Sequence, residues 1–429
     1  MKTNRRAFLK STAILGLATG TTEASTGLRG HSHEPVTNYK TLDAILKQPV
    51  LRRGLFPNPV TIDSVELLRD RNNFICRVRS KDGAEGISIG HPFISKQSYP
   101  MFVNLLAPRF LNQDARDLDQ LVELAAERLV KNQGVPLCVQ LATLEFAILD
   151  MLGKIAHLPA GRLLGDVINS EVAIYLGHHY SNLRKLEPEE SLELMRRDAE
   201  ETSARAIKLR AGSGDQMGLD KDNAPGRTEK LIRMAREVFG DGMVLMIDGN
   251  GSYSVQEAIR IGRLLEEYNY AFYEEPVPWN WYEEQKLVER SLDIPMAGGE
   301  EEFSMHLFRF FAGNRVFQIL QPDLFYFGGM IRTMKVARMA AAAGLRITPH
   351  ISGGGLGFVY MLQMVSVCPA AYDYHEFKMF ATKDANGTPI PVESTAGPFE
   401  SIAGSIKVPS GFGLGVAIDP DYIQRHTAL

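Results

Sequence analysis

The chain has 429 residues, 45% of them hydrophobic and 23% charged, with 38 Gly and 22 Pro, a balance that excludes disordered, fibrous and membrane-embedded classes and points to a soluble globular protein. A single hydrophobic core stops growing near roughly 250 to 300 residues, so two domains are expected. The formal net charge of −4, with no basic run interleaved with aromatics, excludes nucleic acid as the expected partner.

The chain opens with Arg5-Arg6, then Ala7-Phe8-Leu9-Lys10 and an apolar stretch from Ala13 to Ala18. This is the pattern of a twin-arginine export signal. Its apolar part falls short of the about 20 residues that span a bilayer. Residues 1–40 are therefore read as signal and tether, with cleavage near Ala24. The twin-arginine export machinery is the expected partner, and the mature protein is expected in the periplasm, free of the membrane.

Residues 41–165 read as an α+β domain. Ile62 to Leu68 and Phe74 to Val78 alternate as strands, and Gly86 to Ile89 is a third after the Asp82-Gly83 turn. Helical spacing follows over Leu118 to Leu129 and Gln140 to Leu152. The three cysteines, Cys76, Cys138 and Cys368, lie far apart without CxxC spacing, which supports packed thiols and neither a zinc site nor a disulfide framework.

From residue 166 to 395, eight short apolar strand candidates alternate with helices: Val172 to Gly177, Ala206 to Leu209, Val244 to Ile247, Ala271 to Tyr273, Pro295 to Gly298, Phe317 to Leu320, Leu345 to Pro349 and Tyr372 to Glu376. Helical patterns such as Thr228 to Phe239, Val255 to Glu267 and Met330 to Ala343 lie between them. Eight βα units of this length predict a closed parallel (β/α)8 barrel of the TIM type. No GxGxxG follows a first strand, and Gly353-Gly354-Gly355 lacks the spacing and Lys of a phosphate loop.

In a parallel barrel, catalytic groups sit at the C-terminal ends of strands. Strand three ends in Asp248, strand four in Glu274 and strand five in Glu300, with successive gaps of 26 residues, about one repeat. Three carboxylates aimed at one point repel one another unless a hard divalent cation sits between them. Strands six and seven end in Gln321-Pro322-Asp323 and Thr348-Pro349-His350. An Asp beside a His fixes its tautomer and raises its basicity, as a general base requires. Lys208 and Arg210 share one face of strand two, because side chains two apart point the same way, and are placed to hold substrate oxygens or take a proton. At the end of strand one, His178 and His179 face opposite ways, and His178 is the one expected to reach substrate.

These motifs resemble the enolase superfamily, and within it the mandelate racemase and acid-sugar dehydratase branch. The likeness spans residues 55 to 429. It takes in Leu149-Asp150-Met151-Leu152-Gly153-Lys154 at a helix end, the barrel, and Gly413-Leu414-Gly415-Val416 in a C-terminal segment, 396–429, that returns toward the capping domain. The resemblance implies a (β/α)7β barrel closed by an α+β cap, and Mg2+ on Asp248, Glu274 and Glu300. It also implies an Asp323–His350 dyad, Glu376 hydrogen-bonded to the substrate carboxylate, Asn250 touching substrate, and a homo-oligomer. Cap segments Arg69 to Asn73 and His91 to Tyr99 would close the barrel mouth.

The implied step is abstraction of the proton α to a carboxylate. Racemisation needs a competent base on each face, and strand two carries Arg210 where this branch often has a second Lys. Arginine, with a pKa above about 12, is a poor base. The expected function is therefore Mg2+-dependent dehydration of a small-molecule sugar acid, an aldonate or aldarate, to a 2-keto-3-deoxy acid. A racemase, epimerase or cycloisomerase using Lys208 as second base is the alternative; an exported sugar-acid binding protein is the non-enzymatic one.

Overall fold

The computed structural model describes residues 38–177, 183–352, 356–378, 383–384, 387, 389–397 and 399–429. Residues 1–37 of the segment read as signal and tether, and His178, lie outside these residues, while Tyr39 and Lys40 of that segment already belong to the first helix.

After helix α1 (Tyr39–Leu46), strands β1 (Ile62–Asp70), β2 (Asn73–Ser80) and β3 (Glu85–Ile89) form an antiparallel meander. Helices α2 (Ser95–Met101), α3 (Ala107–Phe110), α4 (Leu118–Arg128) and α5 (Val135–Ala156) follow. Helix α5 lies directly on β3, where a Cβ at Gly86 would stand 2.0 Å from Ala147 O, so only glycine permits the approach. The sequence placed α5 over Gln140 to Leu152, yet it starts five residues earlier and ends four residues later. Apolar on almost every side and 89% buried over its most apolar window, it has no amphipathic edge to mark its ends.

Eight parallel strands come next: β4 (Glu171–Leu176), β5 (Ala206–Arg210), β6 (Val244–Asp248), β7 (Tyr273–Glu274), β8 (Met296–Gly298), β9 (Ile319–Leu320), β10 (Arg346–Ile347) and β11 (His375–Phe377). Each pairs with the next as far as β10, and β11 pairs back onto β4. The ring closes through Ile347, whose N–H donates to Ala370 O and whose carbonyl accepts from Tyr372 N, both at 2.8 Å. Helices α6 (Pro188–Thr202), α7 (Arg227–Phe239), α8 (Val255–Glu267), α9 (Tyr282–Ser291), α10 (Met305–Asn314), α11 (Met330–Ala342) and α12 (Gly357–Ser366) follow β4 to β10 in turn. Among the described residues the next helix after β11 belongs to the C-terminal segment and not to the barrel, which makes a (β/α)7β barrel.

The last segment, β12 (Val392–Ser394), β13 (Ser405–Lys407), β14 (Val416–Ile418), α13 (Pro420–Gln424) and β15 (Thr427–Ala428), ends with β15 antiparallel to β1. One apolar core runs from Leu42 through α5 to the barrel helices and Tyr422. A second, smaller cluster of Tyr175, Ala206, Met246, Phe272, Ala297 and Ile319 fills the barrel interior. A further tie comes from Glu145 of α5, whose Oε1 accepts from Met330 N at 2.5 Å and Ile331 N at 3.1 Å and so caps α11.

Candidate active site

The ladders of β5, β6 and β7 set Arg210 opposite Asp248 and Asp248 opposite Glu274. The apolar runs suggested strands ending at Leu209 and Ile247, but pairing depends on backbone and continues through the charged end residues. Glu300 follows β8 by two residues, reached through Gly299 at φ +103°, a left-handed turn that suits glycine. Asp248, Glu274 and Glu300 are all buried, and each offers an oxygen within 4.8 Å of the others.

Lys208, 1% exposed, projects into this cluster. Its Nζ donates to both oxygens of Glu274 at 2.9 and 2.8 Å, and lies 3.8 Å from Asp248 and 3.7 Å from Glu376. Beneath it the Tyr175 ring centroid is 5.3 Å away. Burial pulls the Lys208 ammonium down, but Glu274, Tyr175, Glu376 and Asp248 outweigh burial and hold it well above its ordinary value. Arg210 donates to Asp248 Oδ2 at 2.5 Å and to Asn250 Oδ1. The same Asn250 oxygen accepts from Arg184 Nη2 at 2.6 Å.

Across the barrel, the His350 Nδ1–H donates to Asp323 Oδ2 at 2.7 Å. Asp323 also accepts from the backbone N–H groups of Phe325, Tyr326 and Ser352 at 2.7, 2.8 and 2.5 Å. Burial opposes its charge, but the hydrogen bond from His350, joined by the His350 charge and the Tyr326 N–H, holds it below its usual value. The other ring nitrogen, His350 Nε2, faces the carboxylates, 3.3 Å from Glu300 Oε2 and 3.5 Å from Glu376 Oε2. For His350, burial lowers the pKa, and Glu300, Asp323 and Glu376 more than reverse it.

Glu376 is fully buried, and Lys378 Nζ stands 3.2 Å from its Oε2. Against burial, Lys378, Lys208, His350 and Arg210 hold Glu376 well below the ordinary carboxylate value. The neighbouring strand leaves room for it only because Gly177 has no side chain: a Cβ there would meet Glu376 Oε1 at 2.5 Å. Gly177→Ala is therefore expected to displace the Glu376 carboxylate, lowering turnover about tenfold or more. The cost in stability should be about 1–3 kcal/mol, as for an overpacked core. Steady-state kinetics beside thermal unfolding check this.

The residues fit a divalent cation. Four buried carboxylates, Asp248, Glu274, Glu300 and Glu376, face two interior cations, Lys208 and Arg210. Glu300 Oε2 and both oxygens of Glu376 are buried without a hydrogen bond. Burial, Asp248 and Glu300 push Glu274 far above its ordinary value despite Lys208, the signature of carboxylates crowded together.

Residues 190–422 match the enolase C-terminal domain-like family. The chain belongs to the enolase superfamily, in its mandelate racemase-like branch. An arabinonate dehydratase from Saccharolobus solfataricus is 27% identical over 331 residues, 75% of this chain and 81% of that protein. A D-galactarolactone cycloisomerase from Agrobacterium fabrum is 29% identical over 73% of this chain and 81% of its own length. A mandelate racemase/muconate lactonizing protein from Paracoccus denitrificans PD1222, solved complexed with magnesium, superposes with a TM-score of 0.74. It is 25% identical, covering 86% of this chain and 99% of that one.

In this enolase superfamily chain, the structure gathers Asp248, Glu274, Glu300, Asp323, His350, Glu376, Lys208 and Arg210 at one end of the barrel. Asn250, at φ +43°, sits beside them with its Oδ1 engaged by two arginines. Four neighbours were missed. Lys378 lies two residues beyond Glu376, and the same period-two rule that paired Lys208 with Arg210 would have found it. Glu275, at φ +35°, and Glu301 hydrogen-bond each other behind Glu300, and burial pushes Glu275 up to about 8. Arg184 comes from a single 3-10 turn after β4, Leu183–Lys185, too short to carry a periodic signal.

Proposed function

We propose that this protein is a Mg2+-dependent acid-sugar dehydratase acting on an aldonate or aldarate. The observation that carries the reading is the pairing of His350 Nδ1 with Asp323 while Nε2 faces a trio of buried carboxylates. The curated relatives named as an arabinonate dehydratase and a D-xylonate dehydratase, at 27% and 25% identity, support it.

Asp248, Glu274 and Glu300 would hold Mg2+, which when bound supplies electrostatic stabilisation to negative charge building on the substrate carboxylate. The chain's own side chains do the rest. His350 Nε2 removes the α-proton, and Asp323 holds the ring so that Nε2 is the nitrogen free to take it. The imidazolium then returns that proton to the β-hydroxyl as it leaves as water, and the resulting enol becomes the 2-keto-3-deoxy acid. Lys378 and Glu376 flank the substrate, Lys378 offering an ammonium to its oxygens and Glu376 accepting from its hydroxyl or carboxyl groups. Asn250 contributes its amide N–H. Lys208, with both hydrogen bonds on Glu274, contributes charge and not a second base.

Incubating the Mg2+-loaded protein with an acid-sugar library and assaying 2-keto-3-deoxy acids tests the reading. Product from at least one member is expected; racemised or cyclised substrate with no keto acid would refute it. The isomerase alternative draws on the D-galactarolactone cycloisomerase at 29% identity, and solvent deuterium entering recovered substrate would mark it.

We further propose export by the twin-arginine route. Replacing Arg5 and Arg6 with Lys should leave the full-length precursor in the cytoplasmic fraction, as immunoblots of fractionated cells would report. Normal periplasmic recovery would contradict the signal.

A further inference from the structure

His91, two residues past β3, is 1% exposed. Its Nδ1 lies 3.1 Å from the backbone nitrogens of both Phe93 and Ile94. Backbone N–H groups can only donate, so Nδ1 is the acceptor and the ring proton sits on Nε2. Nε2–H then donates to Ser352 Oγ at 3.0 Å. Burial lowers the ring to about 4, which keeps it neutral at ordinary pH and fixes this donor pattern.

The contacts of His91 converge on one carboxylate. Ser352 gives its backbone N–H to Asp323 Oδ2, the oxygen that also holds His350. The His91 ring also packs against Phe325 and Tyr326, with centroids 5.3 and 5.5 Å away, and these residues donate their N–H groups to Asp323 Oδ1. A single side chain following the antiparallel sheet thus touches every residue that supplies Asp323's three backbone hydrogen bonds.

We infer that His91 is a positioning residue for the Asp323–His350 dyad, coupling the seating of the β1–β3 layer to the geometry of the base through Ser352. The inference rests on the dyad being the proton-abstracting pair. Asp323 needs its three backbone donors to aim its remaining lone pair at His350 Nδ1, and His91 holds the loop that brings the Ser352 donor.

Two substitutions separate this role from holding the turn before α2. Asn at position 91 keeps an acceptor near Nδ1 for Phe93 and Ile94 but places nothing at Nε2; Ser352→Ala removes only the hydroxyl. His91→Asn and Ser352→Ala should each lower kcat about ten- to a hundredfold, with KM within about twofold and the melting midpoint near that of the wild type. The double variant should be no worse than either single one, because both remove the same link. Singles with wild-type kcat, or a double loss equal to the product of the two, would overturn the inference.

A readout independent of turnover keeps the two readings apart. The downfield proton resonance of the His350 Nδ1–H should exchange with solvent faster in His91→Asn and Ser352→Ala than in the wild type. If no sugar acid is turned over by the wild type, the dehydratase reading fails and this exchange rate decides the His91 link. Unchanged exchange would then overturn it.

Discussion

With His350 replaced by Asn, turnover of a sugar acid will fall about 10²- to 10⁴-fold, the span of a lost general acid–base group, while the protein stays folded. Asn matches the imidazole near Nδ1, so Asp323 keeps a partner and no buried carboxylate is abandoned. What disappears is Nε2, the atom 3.3 Å from Glu300 and 3.5 Å from Glu376. In a binding protein the same change would leave affinity for the acid almost unaltered and there would be no rate to lose. Asp323→Asn should lower the rate for a different reason: an amide can present its NH2 to Nδ1, which would move the ring proton to Nε2 and block the base.

Chelating divalent cations will abolish turnover, and Mg2+ will restore it with one ion bound per chain. Without a cation, Asp248, Glu274 and Glu300 are mutually repelling carboxylates relieved chiefly by Lys208 and Arg210, and Glu300 Oε2 has no hydrogen bond. Binding to the folded chain alone stabilises it, by about 2.7 kcal/mol when free Mg2+ is 100 times Kd. The melting midpoint should therefore climb with Mg2+ in the wild type. In Glu300→Gln, which removes one negative oxygen donor, the climb should need far more Mg2+. Calorimetric titration showing no binding to the wild type, or undiminished binding to Glu300→Gln, would contradict the assignment.

Much of the site was legible because barrel geometry turns sequence spacing into position. Asp248, Glu274 and Glu300 stand 26 residues apart, about one βα unit, and the residue ending each apolar run points inward at a similar depth, so the three could be grouped without coordinates. The Asp323–His350 pair followed from the same rule applied to the next two strands. Strand lengths were less legible. Strand β10 has only two ladder residues although the sequence placed a strand over Leu345 to Pro349, because Pro349 has no N–H to donate and the bridge moves on to Asp323 and His350. His91 was read as part of a closing segment, but its link to Ser352 joins residues 261 positions apart, and no periodicity carries that information. Likewise Glu275 looked like a neighbour of Glu274, whereas its left-handed backbone turns it away to meet Glu301.

The most direct test of proton abstraction by His350 uses a sugar acid carrying deuterium on the carbon next to its carboxylate. With Mg2+ present, the wild type is predicted to release that deuterium to solvent as the 2-keto-3-deoxy acid forms, and His350→Asn to release almost none. Release by His350→Asn at the wild-type rate, or keto acid formed with the deuterium retained, would contradict it.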